Sequence, residues 1–109
     1  MKVSEVKTMK VALTHAGKFH ADDVFGAAFL KIINPHLKII RSNIVPDDFD
    51  GLVFDIGIGE FDHHMANNET RNNGQPYAAF GKLWRAFAEE LYGKYIYESI
   101  DKKLIEDLD

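Results

Sequence analysis

The first half of the chain alternates two short β-favouring runs with one helical segment. "KVALTH", Lys10 to His15, precedes "ADDVFGAAFLKII", and "LKIIRS" follows it. Within the middle segment Phe25, Ala28, Phe29 and Ile32 recur at helical spacing behind the acidic start Asp22 and Asp23, which predicts a helix between two strands. A crossover helix makes the strands it joins run parallel, and such units are right-handed almost without exception. A third run, "GLVFDIG", comes after the breaker-rich "NIVPDDFDG" and predicts a third strand. The expected fold is therefore α/β, a small, mainly parallel sheet flanked by helices.

From Gly57 to Pro76 the chain is rich in Asn, Gly, His and acid, a long loop of the kind that is either functional or disordered in a small domain. Beyond it, Tyr77, Phe80, Trp84, Phe87 and Leu91 recur at steps of three and four, predicting an amphipathic helix closed by Gly93 whose aromatic stripe faces the core. Ile96, Ile100, Leu104 and Leu108 stand four apart and predict a last helix, with Glu98 and Lys102 as an ion pair along it. A chain of 109 residues suits one hydrophobic core. Met9 opens "MKVALTH", so the expected domain is 9–109, with residues 1–8 an extension outside the fold.

Cysteine is absent, which excludes disulfides, thiolate catalysis and sulfur-ligated zinc; a metal here must be held by nitrogen and oxygen. The N-terminal lysines are not followed by the apolar stretch of a signal peptide, and "VFGAAFL" is too short to span a bilayer. A cytoplasmic address and no membrane partner are expected. The formal charge is −4 with no basic run, so nothing resembles a nucleic-acid surface built from Lys and Arg alone. Either the substrate is small or another group supplies positive charge.

Three clusters fall at the carboxyl ends of the predicted strands, the edge where open α/β sheets bind ligands. "HAGKFHADD" carries His15, His20, Asp22 and Asp23; "FDIG" carries Asp55; "FDHH" carries Asp62, His63 and His64. Singly, each reads equally well as a helix cap or a solvated loop side chain. Jointly, four of the five histidines on two strand-end loops point to a shared metal site for Mn2+, Mg2+ or Zn2+. His36, after Pro35, reads as a surface turn residue. Lys18, Arg71 and Asn73 are candidates for binding substrate phosphate, against the plainer reading of solvated loop side chains.

The blocks "THAGKFHADDVF", "GLVFDIG", "FDHH" and "NGQPYAAFGKLW", in this order, resemble the DHH phosphoesterase superfamily, and within it the melanocyte-proliferating-gene type of metal-dependent hydrolase, over Met9 to Asp109. The resemblance implies metal ligation by His15, His20 and Asp22, by Asp55 as a bridging carboxylate and by His63, with Asp109 as a further ligand in the fourth motif "LIEDLD". It implies catalytic roles for His64, facing the scissile phosphate, and for Asp62, orienting the imidazoles. Two divalent ions, Mn2+ foremost, would activate a water to hydrolyse a phosphodiester or phosphoanhydride in RNA, DNA or a small phosphate ester, as a nuclease does. By the same likeness the chain stops inside the fourth motif, ahead of a C-terminal substrate-binding region. The alternative is then a noncatalytic, partner-requiring metal-binding module, completed for example in a homodimer.

Overall fold

The structure is a computed structural model describing residues 1–56, 61, 69–71, 73–74 and 77–108. It is α/β, with a three-stranded parallel sheet flanked by helices. Strand β1 (Val11–Thr14) lies in the middle, paired on one side with β2 (Lys38–Arg41) and on the other with β3 (Leu52–Val53). Ala12, Leu13 and Thr14 are buried in succession, as suits a parallel strand covered on both faces. The ladder continues beyond the strands, with Ser42 N–H donating to Thr14 O and Phe54 N–H to Leu13 O. Phe54 also forms a parallel bridge with Phe61. All the strands point one way, so their carboxyl ends share one rim.

Helix α2 (Ala21–Ile33) covers the segment expected to be helical, but of the residues at helical spacing only Phe29 is buried; Phe25, Ala28 and Ile32 are exposed, and the inward face is Gly26, Phe29, Leu30 and Ile33. The helix packs on α3 (Ala79–Tyr92) through an aromatic seam: the Phe29 ring lies 5.1 Å from that of Trp84 and 6.4 Å from that of Phe80. Gly26 permits this approach. A Cβ there would sit 3.0 Å from Leu83 Cδ1 and 3.1 Å from Phe54 Cε2, so the bare backbone lets helix, helix and sheet meet. Tyr77, Phe80, Trp84 and Phe87 are all buried, and the aromatic stripe is core.

Residues 1–8, expected to lie outside the fold, take part in it. Val3–Thr8 form helix α1, with Val3 and Val6 buried in the core. Its anchor is Asn34 at the end of α2. This buried side chain donates from Nδ2 to Val6 O at 3.0 Å and to Met9 O at 2.8 Å, and accepts from His36 N–H. The N-terminal segment thus satisfies a polar group that burial would otherwise penalise.

Gly93, at φ +86°, ends α3 in a conformation that favours glycine. Helix α4 (Lys94–Ile100) then runs into a π-helical turn at Asp101–Ile105 and a final turn α5 (Glu106–Leu108). The four-residue spacing predicted one regular helix with Leu104 inward. Instead Ile96 and Leu104 are 42% and 45% exposed, Ile105 is fully buried, and Tyr97, Ile100 and Leu108 pack against the core. The π turn inserts one residue between Ile100 and the buried Ile105, and in α4 the inward face includes Tyr97 in place of Ile96. The indole Nε1–H of Trp84 closes this region by donating to Tyr97 O. Among the described residues no helix is long and apolar enough to cross a membrane.

Two measurements check this packing. Gly26→Val should destabilise by roughly 1–3 kcal/mol through overpacking, read as a lower denaturant midpoint. Burial, followed by the neighbouring Tyr77 and Asp101, pushes the Tyr97 phenol from 10.0 up to about 12. The unfolded chain therefore ionises this group first. Its contribution is fully present below the unfolded value of about 10 and is lost as pH rises through the folded value. In an ultraviolet titration of the phenols, Tyr97→Phe should remove the component with a midpoint of about 12.

Candidate metal centre

His15 is the first residue beyond β1, and its ring is fixed at both nitrogens. Nδ1 lies 3.0 Å from Ala16 O. A carbonyl can only accept, so Nδ1 carries the hydrogen. On the other side Nε2 lies 2.8 Å from Asp23 Oδ2 and 3.2 Å from Asp55 Oδ2. A neutral ring of this tautomer would turn a lone pair toward two carboxylates. The arrangement calls for a positive centre among the three groups, either a proton on Nε2 or a shared cation.

Both carboxylates are buried, Asp23 at 1% and Asp55 at 4% exposure. Asp23 stands in the first turn of α2, where the positive helix end favours an acid. Its Oδ2 also accepts from His20 N–H at 2.9 Å, and its Oδ1 makes no hydrogen bond, with Arg41 Nη1 at 3.5 Å. Asp55, just past β3, adopts φ +58°, a left-handed conformation uncommon outside glycine but tolerated by Asp. The bond from Asp55 N–H to Phe61 O at 2.9 Å holds that bend. Ligand atoms of His15, Asp23 and Asp55 all lie within 4.8 Å of one another. Their donor set, one imidazole and two carboxylates, suits a divalent cation.

The other sequence candidates fall into three groups. His20 is exposed beside the centre, its ring 5.5 Å from that of His15, and Asp22 Oδ1 accepts from Phe80 N–H at 3.3 Å, tying α2 to the start of α3. Lys18 is exposed on the same β1–α2 loop. Arg71 and Asn73 instead line a cleft with Tyr77, Glu98, Asp101, Lys102 and Asp107. There Arg71 is buried and forked onto Asp101, with Nε to Oδ2 at 3.0 Å, Nη2 to Oδ1 at 2.8 Å, and the guanidinium 4.2 Å from the centre of the Tyr77 ring. Asp62, His63, His64 and Asp109 lie outside the described residues.

Three residues here were not singled out beforehand, or not for this role. Asp23 rather than its neighbour Asp22 approaches Nε2 of His15. Arg41, at the carboxyl end of β2, donates from Nη2 to Gly17 O at 3.1 Å and faces Asp23. Lys82 is 1% exposed, although it stands opposite the aromatic stripe of α3; Ala79 to Trp84 are buried all round. Nearby, Arg85 bonds Glu69 at 2.8 Å. That bond first, then the charge of Arg85 and last that of Lys82, lower the Glu69 carboxyl from its ordinary value against a smaller opposing effect of burial.

The sequence matches the model of MYG1_exonuc, an uncharacterised protein family (UPF0160), over residues 11–109. The chain belongs to this family, whose name points to an exonuclease. No curated protein and no solved structure matches it.

The Arg71–Asp101 fork makes a prediction of its own. Because its side chains are only 6% and 16% exposed, Arg71→Ala leaves a partly buried acid without this partner. It should destabilise the protein by roughly 3 kcal/mol, measured by urea unfolding, and Arg71→Lys should restore little of that because a point charge cannot reproduce the fork.

Proposed function

We propose that this chain is the metal-holding part of a DHH-type phosphoesterase that hydrolyses a phosphodiester or phosphoanhydride, nuclease-like in its substrate. One observation carries the reading: Nδ1 of His15 is committed to a carbonyl while Nε2 faces two buried carboxylates. Asp23 Oδ1 makes no hydrogen bond and faces the Arg41 guanidinium only at 3.5 Å, and a closer cation at this buried oxygen fits the same reading. His15, Asp23 and Asp55 would hold a divalent ion, Mn2+ foremost. His20, Asp22, His63 and Asp109 are proposed as further ligands, His64 and Asp62 as catalytic groups, and a second ion would draw on this wider set.

A bound ion of this kind lowers the pKa of a water and offsets charge on phosphoryl oxygens. The chain's own groups do the rest. Ala16 O fixes the tautomer of His15, as a carbonyl commonly does for a ligating imidazole. His20 N–H and Arg41 hold Asp23 in place. Exposed Lys18 and His20 stand on the loop that a phosphate would meet first. Two divalent ions would also balance the formal charge of −4, turning a rim that repels phosphate into one that attracts it.

The test is calorimetric titration with Mn2+ followed by assay on a simple phosphodiester, a short oligonucleotide and pyrophosphate. Stoichiometric binding and metal-dependent hydrolysis of at least one substrate are expected. Asp23→Asn should weaken Mn2+ binding by about tenfold or more and hydrolysis with it. A folded, metal-loaded protein inert toward all three substrates would overturn the proposal.

A further inference from the structure

We propose that the ring of Phe19 is a stacking shelf for a nucleobase, positioning a nucleotide whose phosphate reaches the His15–Asp23–Asp55 group; this rests on the phosphoesterase reading above. Phe19 lies on the β1–α2 loop, four residues after His15 and four before Asp23, and is 70% exposed. A lone exposed apolar side chain is ordinary on a protein surface. This one is braced. The Arg41 guanidinium sits 4.0 Å from its ring centre, a cation–π contact. That same guanidinium donates to Gly17 O at 3.1 Å and stands 3.5 Å from Asp23 Oδ1.

Two consequences follow from one arginine making all these contacts. The guanidinium covers one face of the ring and restrains its loop, while the exposure of Phe19 leaves the ring open to another flat group. Ring and site carboxylate are also held at the two ends of a single guanidinium, a separation within the span of one nucleotide. A base stacked on an aromatic ring contributes about 1–3 kcal/mol whatever its identity; a sugar phosphate without a base gains nothing from the shelf. Charge decides the rest. With a formal charge of −4 and no basic run in the sequence, clustered Lys and Arg are not what would hold a phosphate backbone here, and the base offers a second handle.

Calorimetry on the Mn2+-loaded protein with AMP, ribose 5-phosphate, adenosine and a trinucleotide tests this. AMP should bind roughly 5- to 150-fold more tightly than ribose 5-phosphate. Phe19→Ala should erase that ratio without weakening ribose 5-phosphate binding, and Phe19→Trp should preserve it. Equal affinities in the unaltered protein, or an AMP preference that survives Phe19→Ala, would overturn the shelf. Adenosine reads it without any phosphate: binding that Phe19→Ala abolishes supports the shelf even if every phosphoester proves inert, an outcome that would count only against the hydrolytic reading. A trinucleotide bound more tightly than AMP and weakened by Phe19→Ala identifies the source as a nucleic-acid end. AMP bound at least as tightly identifies a free nucleotide. In either case a loss on Phe19→Ala supports the shelf.

Discussion

Parallel pairing of β1 on both its edges is the constraint from which the site descends. Each neighbouring strand must run in the direction of β1, so three chain exits gather at one rim, and the loop leaving β1 must cross that rim to enter α2. His15, Arg41 and Asp55 stand 26 and 14 positions apart along the chain yet emerge together for this reason. The aromatic seam between α2 and α3 then sets where the first turn of α2 stands, and with it Asp23. Substituting a rim residue removes a functional group, whereas disturbing β1 would disperse the rim itself.

Burial of negative charge is the second determinant. Carboxylates withdrawn from water are stable only where positive charge or hydrogen bonds meet them. At this rim the compensation among the described residues includes an imidazole between two acids, a backbone N–H and a guanidinium standing slightly off. On the opposite flank, by contrast, Arg71 meets Asp101 with two close bonds. That pair is a bidentate structural fork, while at the rim two acids share the one imidazole nitrogen of His15.

Much of this was legible in the residues. The acidic start and apolar spacing of α2 gave its extent but not its inward face, and the rule that ligands gather at strand ends brought His15 and Asp55 to one place. Applied equally to the second strand, it would have drawn notice to Arg41. Val3 and Val6 stand three apart, a helical signal overshadowed by the more start-like Met9. Choosing between Asp22 and Asp23 lay beyond any pattern, because adjacent residues at a helix start differ only in which way the first turn faces. Lys82 gave no warning, since periodicity marks the face toward the main core and is silent on what covers the other. For Asp62, His63, His64 and Asp109, which lie outside the described residues, sequence remains the whole basis.

The π turn at Asp101–Ile105 changes how the end of the chain must be compared with its kin. An α-helix advances about 100° per residue, so a one-residue insertion rotates everything beyond it by that angle relative to an unbroken helix. An alignment that steps four residues onward from Ile100, which packs on the core, would place Leu104 inward where Ile105 in fact stands. Equivalent positions in related chains are better paired by phase, Ile105 standing for the inward leucine of a regular helix, than by counting along the string.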